Sequence, residues 1–313
     1  MKIVFLGTSA AVPTRERNTA SIYIMTTNGA YLFDAGEGLQ KQLQIAKLNP
    51  IKIKAVFISH MHFDHVLGLP GLLMTMALLN RKEKLTIVGT RKLFQFLKMF
   101  DKEFYMDLTF EVEFIEAHQG SVYRNKEIEV LAFPTIHSTE SYAYRLFEYK
   151  LKRKFHPEKA LELNIPKGPL WNKLQLGESI IVNGKKITPE MVSDSPPLPI
   201  SVSISGDTAY FEQLIDFFKG TDVLIHESTF SKELTDKASE MLHSTAEQAA
   251  TVALKSGAKL LVLYHFSERY KDTRLLEEEA KKIFPNTVAA KDFMCIKIED
   301  NDINVVNNIE KCE

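Results

Sequence analysis

The sequence predicts an α/β fold, with helices covering the faces of strand-built sheets, and three observations carry that reading. Short apolar runs of strand length recur along the chain. Patterns of helical length fall between several of them. The 313 residues are 45% hydrophobic, enough for one large α/β domain, or two sharing a sheet, rather than a string of modules. The strand candidates are Lys2–Leu6, Ser21–Met25, Ala30–Asp34, Ala55–Ser59 and Thr86–Val88, then Ile128–Thr135, Tyr142–Phe147, Ser201–Ser205, Val223–His226 and Lys259–Tyr264. Between the fourth and fifth, Leu67–Leu79 is apolar and rich in Leu and Met, which reads as a buried helix.

Charge narrows the function classes. Lys and Arg total 39 and Asp and Glu 40, a formal charge of −1. A globally basic footprint for nucleic acid is therefore excluded, and any such footprint must be local. Lys150–Lys173 is the place to look: it holds seven Lys/Arg against Glu158 and Glu162, a net of +5, punctuated by Pro157, Pro166 and Gly168-Pro169. Such a run is either a solvated insertion or an arm that grips a polyanion. No stretch approaches the ~18 apolar residues of a membrane span, and Ile3–Leu6 is too short for a signal-peptide core. Cys295 and Cys312 show neither metal-ligand spacing nor a disulfide framework. The expectation is a reduced, cytoplasmic setting with no membrane.

The chemistry concentrates in His60-Met61-His62-Phe63-Asp64-His65, directly after a strand. Two His at i and i+2 leaving a strand end lie on one side of the chain and can share an ion, while Asp64 and His65 face a second position. Neutral imidazole and carboxylate suit zinc and neighbouring divalent ions. Burying four such groups without a partner is costly, so a packing role does not explain them. The four cannot close a two-metal site alone. His137, Asp207 and His265 each stand where a later strand run meets a loop, the usual place for sites in α/β sheets.

The His-x-His-x-Asp-His run, with a later His, an Asp in Ser205-Gly206-Asp207-Thr208 and a late His, resembles the metallo-β-lactamase superfamily. Within it the chain resembles the ribonuclease Z family of tRNA 3′-processing endonucleases, from Phe5-Leu6-Gly7-Thr8 to His265. Pro13-Thr14-Arg15-Glu16-Arg17-Asn18 resembles that family's Pro-x-Lys-x-Arg-Asn loop, with Arg15 where Lys is usual. This departure keeps the charge and alters the hydrogen-bond geometry. His243-Ser244-Thr245 resembles its His-Ser-Thr box, and the basic insertion with Gly168-Pro169 sits where the family places its tRNA-gripping arm.

The resemblance implies a four-layer αββα metallo-β-lactamase sandwich over residues 1–313, with an inserted basic arm at about 148–196 that binds substrate. It implies two Zn²⁺ per chain: one held by His60, His62 and His137, the other by Asp64, His65 and His265, with Asp207 bridging. It implies a cytoplasmic homodimer that cuts the 3′ trailer from precursor tRNA, leaving a 3′-hydroxyl on the tRNA and a 5′-phosphate on the trailer. Arg15, Arg17, Asn18, Lys152, Arg153, Lys154, Lys167, Gly168 and Pro169 would then bind substrate, and Asp64 would be both ligand and base.

His243 is the candidate proton donor to the leaving oxygen. Ser244-Thr245-Ala246-Glu247 reads as a capping box, with a helix running from about Thr245 to Ser256 before Gly257. That places His243 at a helix N-terminus, where an anionic substrate could dock. His226-Glu227 could orient a ligand or His243. His118 and His156 have no partner in the sequence and read as surface residues; Trp171 either stacks on a base or anchors a small core in the arm. The alternatives are another hydrolase of this fold acting on an ester or phosphodiester, and a non-catalytic RNA-binding scaffold. A small neutral ester needs no basic arm, and a pure binder needs no open metal position.

Overall fold

Side chains alternate across a strand, and this alternation sets the layers here. The computed structural model describes residues 1–150, 152–299 and 302–312. Leu151, inside the basic run, lies outside the described residues. In β1 (Lys2–Gly7), Ile3 and Phe5 enter a core shared with a second sheet, whereas Val4 and Leu6 join Leu39, Leu43, Leu69, Leu73 and Leu93 from covering helices. The other strands are β2 (Ser21–Thr26), β3 (Gly29–Phe33), β4 (Ile53–Phe57), β5 (Leu85–Gly89), β6 (Val112–Glu116), β7 (Gly120–Arg124), β8 (Ile128–Pro134) and β9 (Tyr142–Glu148). They continue with β10 (Ile180–Val182), β11 (Lys185–Ile187), β12 (Ile200–Ile204), β13 (Val223–Glu227), β14 (Leu260–Tyr264), β15 (Thr287–Ala289), β16 (Cys295–Glu299) and β17 (Asp302–Val306).

One sheet has eight strands in the order β17-β16-β1-β2-β3-β4-β5-β6, a second has seven in the order β15-β14-β13-β12-β9-β8-β7, and β10 and β11 form a two-stranded sheet of their own. Both large sheets are mixed: β3 to β6 run parallel, as do β12 to β15, while β8, β9 and β12 pair antiparallel. The helices Leu39–Ile45, Gly68–Leu78 and Arg91–Phe104 cover the first sheet. Ala246, Ala249, Ala250 and Ala253 of the helix Ala246–Ser256 pack on the second. This is the four-layer α/β sandwich that the resemblance implied. β6, β7, β10, β11, β15, β16 and β17 went unread in the sequence, because they are short or interrupted by charge. No helix among the described residues is long and apolar enough to cross a membrane.

The chain leaves β9 at Glu148 and returns in β12 at Ile200, and these two residues are paired in the antiparallel register. The excursion between them is therefore a long loop on one hairpin. It has its own apolar cluster of Ala160, Ile165, Leu174, Ile180, Ile187 and Val192. Trp171 packs there against Phe155, with ring centroids 5.1 Å apart, and its indole N–H donates to the Ile165 carbonyl at 3.1 Å. Of the two sequence readings for Trp171, the structure has the anchor.

Three expectations are corrected. The cysteines are not free: Cys295 and Cys312 are joined, Cα atoms 6.2 Å apart, tying the final turn to β16. The pairing removes the argument for a reducing compartment that rested on unpaired thiols. His156 is not a solitary surface residue, since it lies 2.7 Å from Asp194 and 3.3 Å from Glu158. The capping box is one residue later than expected: the Thr245 hydroxyl accepts from Gln248 N–H while the Gln248 side chain accepts from Thr245 N–H. The helix ends as expected, at Gly257 with φ 69°.

Candidate active site

Every candidate ligand lies at or just beyond a strand end, and the two facing sheets bring these ends together. After β4 the chain makes a single helical turn, Phe63–Val66, which presents Asp64 and His65 inward. Gly68 permits that turn, because a Cβ there would sit 2.1 Å from the Gly36 carbonyl oxygen. Gly206, before Asp207, adopts φ 59° and approaches the Tyr142 carbonyl, which again leaves no room for a side chain.

Two principal groups result, one of His60, His62, His137 and Asp207 and one of Asp64, His65 and His265, and Asp207 and His265 also form a third with His243. Asp207 lies between the first two: Oδ2 is 3.7 Å from His60 Nε2 and 3.4 Å from His65 Nε2, and Oδ1 is 3.4 Å from His265 Nδ1. Ring nitrogens face one another at 3.0 Å (His60 Nε2 and His62 Nδ1), 3.1 Å (His137 Nε2 and His62 Nδ1) and 3.2 Å (His65 Nε2 and His265 Nε2).

The outer nitrogens explain these approaches. His65 Nδ1–H donates to Asp34 at 2.8 Å, and His137 Nδ1–H donates to the Leu242 carbonyl at 3.0 Å. The Ser59 hydroxyl donates to Asp34, so it accepts from His60 Nδ1–H at 2.9 Å. The Thr229 hydroxyl donates to Glu227, so it accepts from His265 Nδ1–H at 3.1 Å. Each of these four rings thus spends its one proton outward and turns the lone pair of Nε2 toward the cluster, whereas His62 faces it with Nδ1 and has Nε2 3.3 Å from the Ser138 hydroxyl. Converging lone pairs beside carboxylates are the donor set that a divalent cation satisfies. The cluster fits metal binding.

The carboxylates in turn draw positive charge into the cluster, which a divalent cation would supply and which otherwise falls on His65. Burial disfavours charge on His65, yet Asp207, Asp64 and Asp34 outweigh it and raise its pKa well above the usual range. Burial and the neighbouring His65 hold His60 well below its own. Burial would raise Asp64, but His65 and His265 outweigh it and hold it ionised. Asp34 and His265 sit at φ 58°, Ala11 at φ 59° and Leu242 at φ 56°, all rare for non-glycine residues. Such strain clusters where surrounding contacts over-determine a functional geometry.

His243 borders the cluster, with its Nδ1 2.8 Å from Glu227 Oε1 and 4.0 Å from Asp207 Oδ2. Burial opposes its protonation, but Glu227 and then Asp207 outweigh burial and push its pKa up to about 9. Glu227 is itself fixed by Thr208 N–H at 3.0 Å and by the Thr229 hydroxyl at 2.8 Å. The dipeptide His226-Glu227 therefore divides. Glu227 turns to the site, whereas His226 is buried with Nδ1 on a backbone carbonyl and Nε2 unpartnered.

Comparison with known proteins gives this geometry its family. A family model described as the anti-Pycsar protein Apyc1 matches residues 1–156, and one described as a beta-lactamase superfamily domain matches residues 142–266. Ribonuclease Z of Methanosarcina mazei is 39% identical over 299 residues, covering 95% of this chain and 98% of that protein. Ribonuclease Z of Archaeoglobus fulgidus is 40% identical over 300 residues, covering 95% and 97%. The chain belongs to the ribonuclease Z family. It is accordingly a hydrolase of the endoribonuclease class. The crystal structure of the short form of human tRNase Z superposes with a TM-score of 0.70 at 27% identity, covering 96% of this chain and 100% of that one.

Within this family frame the remaining candidates separate into outward and inward groups. Arg15 is exposed, in a 390 Å³ cleft lined by Thr14, Arg15, Glu16, Arg17, Glu268 and Lys271. Arg17 is instead turned inward: its guanidinium donates to the Tyr270 and Ser267 carbonyls at 2.8 and 3.2 Å. Asn18 is similarly engaged, its side chain donating to the Glu37 carbonyl at 2.6 Å. In the insertion, Lys152, Lys154, Lys167, Gly168 and Pro169 are exposed, whereas Arg153 pairs with Glu190 at 2.8 Å.

Asp34, Ser59, Thr229 and Glu227 hold the site, and of these only Glu227 stood out in the sequence as a candidate. Ser59 adjoins His60, and Asp34 ends a strand beside the His60–His65 run. Nothing in spacing pointed to Thr229.

Proposed function

We propose that the chain removes the 3′ trailer from precursor tRNA by zinc-dependent hydrolysis, leaving a 3′-hydroxyl on the tRNA and a 5′-phosphate on the trailer. The observation that carries the chemistry is the convergence of five imidazoles on two aspartates, each Nδ1-anchored ring turning its Nε2 lone pair inward. The substrate comes from the relatives named ribonuclease Z. His60, His62, His137 and Asp207 would hold one ion, and Asp64, His65, His265 and Asp207 the other. Two divalent ions so bound would supply a lowered pKa for water and neutralise charge on phosphoryl oxygens.

The protein's own groups do the rest. Asp64, held ionised, orients the attacking water and takes its proton. The phosphate stays with the trailer, so the bond that breaks is that between phosphorus and the tRNA 3′ oxygen, and this oxygen needs a proton. His243, kept protonated by Glu227, gives it from Nε2 while Nδ1–H stays on the carboxylate. The insertion binds tRNA backbone through Lys152, Lys154 and Lys167 around Gly168-Pro169, and Arg15 attracts phosphate beside the site. The functional unit is a homodimer in the cytoplasm with its substrate.

The test is incubation of metal-analysed protein with a 3′-extended precursor tRNA, mapping the ends of both products. A single cut leaving the stated ends is expected, with about two zinc per chain. No cleavage by zinc-loaded protein would overturn the reading. Light scattering after size exclusion tests the dimer.

A further inference from the structure

The loop Thr8–Ala20 between β1 and β2 reaches the reacting centre through its backbone. Ala11 N–H donates to Asp64 Oδ2 at 2.7 Å. Next to it, the Thr8 carbonyl accepts from Phe266 N–H and Ala10 N–H donates to the Phe266 carbonyl, both at 2.9 Å. Phe266 follows His265, so one loop holds two members of the group Asp64, His65 and His265. Both neighbours of this stitching are strained, Ala11 at φ 59° and His265 at φ 58°. A left-handed backbone is costly for a non-glycine residue, so it relaxes unless something holds it.

Asp292 is placed to hold it. Its segment is pinned to β1, where Phe293 N–H donates to the Phe5 carbonyl at 2.7 Å and Phe5 N–H to the Met294 carbonyl at 3.1 Å. From there the largely buried carboxylate takes both legs of the loop: Oδ1 accepts from the Thr8 hydroxyl at 2.8 Å, and Oδ2 accepts from Asn18 N–H at 2.7 Å. Gln42 also donates to Oδ2, at 3.0 Å, and joins it to the Leu6 carbonyl. A carboxylate is the side chain of this size that accepts on both oxygens at once. None of its partners is a candidate metal ligand.

We propose that Asp292 is a positioning residue for the hydrolysis, clamping both legs of the β1–β2 loop so that the Ala11 N–H stays on Asp64 and Phe266 stays against Thr8. This rests on the reading of Asp64 as the group that handles water. Asp292→Asn keeps the volume but turns an N–H₂ toward one of its donors. Loosening an anchor behind a catalytic group typically costs about 10- to 100-fold in activity. The expected result is a fall in kcat of that size on both 3′-extended tRNA and bis(4-nitrophenyl) phosphate, with KM for the tRNA within about two-fold of wild type. The assay is run well below the variant's melting temperature, so a purely structural role would leave kcat alone.

Wild-type kcat with only a lowered melting temperature would overturn the proposal, as would a rise in KM at unchanged kcat. If Asp292→Asn does not fold, Thr8→Val removes one donor without changing charge. It should lower kcat several-fold on both substrates, and wild-type kcat would overturn the proposal equally. Asp64→Ala is measured alongside. No turnover by the wild type would sink the hydrolase reading, and normal turnover by Asp64→Ala would sink the role of Asp64; a dead Asp64→Ala beside normal Asp292→Asn and Thr8→Val would sink the clamp alone.

Discussion

The metal cluster and the basic insertion differ in what holds them. Each ligand of the cluster grows from a strand end of the main core, and Asp34, Ser59, Thr229 and the Leu242 carbonyl anchor its rings from behind. The insertion joins the fold at the paired residues Glu148 and Ile200 and packs on six buried residues of its own. The cluster thus has its geometry set before substrate arrives, which is what stabilising a transition state requires. The insertion presents lysines on a small separate core, which suits contacts made equally in ground and transition states. Damage to the first region should appear in kcat, and damage to the second in KM.

The largest effects should come from the cluster. Asp64→Ala is expected to abolish hydrolysis of every substrate, because it removes a ligand and the water's orienter together. Chelation should do the same to the wild type, reversed by divalent metal. Elemental analysis finding no transition metal in active protein would break the comparison at its root. Next comes His243→Ala, with kcat lower by roughly 10²-fold, the usual scale of general acid catalysis, and metal content unchanged. A wild-type rate with chemistry limiting would remove His243 from the leaving-group step.

The same division governs what the sequence revealed. His60, His62, Asp64 and His65 were legible because four ligand types within six residues have no packing explanation. His137, Asp207 and His265 were legible as strand-end residues, but their partition between two groups needed the resemblance. The outer anchors were not legible. Thr229 meets His265 across 36 residues, and the Leu242 carbonyl meets His137 across 105, and only the folded sheets set those distances. In the insertion, the sequence showed charge but not its pairing. Glu190 and Asp194 return to Arg153 and His156, so the basic stretch is less bare than its count of lysines suggested.

Deleting the insertion between Glu148 and Ile200 tests the other side. KM for precursor tRNA should rise at least tenfold, on the order of several lost phosphate contacts, while kcat falls far less. Turnover of bis(4-nitrophenyl) phosphate should survive, since the two bridged residues are already neighbours in the sheet. Loss of small-substrate turnover would mean that the insertion supports the cluster, and unchanged KM would return it to a solvated loop.

The smallest effect separates cations within the insertion. Lys167 is exposed beside Gly168-Pro169, whereas the Arg153 guanidinium lies 2.8 Å from Glu190 and the residue's backbone N–H donates to the Gln175 carbonyl at 2.9 Å. Both carry one positive charge, so counting charges predicts equal contributions to tRNA binding. Geometry predicts otherwise. Lys167→Ala should flatten the log–log salt dependence of binding by about 0.7 to 0.9, the share of one phosphate contact, and leave the melting temperature alone. Arg153→Ala removes a partly neutralised cation together with its packed stem, so the salt slope should stay while the insertion loosens. Binding isotherms across a salt series, with proteolysis of the insertion as the second readout, distinguish the two. Equal slopes for both variants would mean that Arg153 leaves Glu190 for the RNA, and that the insertion rearranges on binding rather than presenting a finished surface.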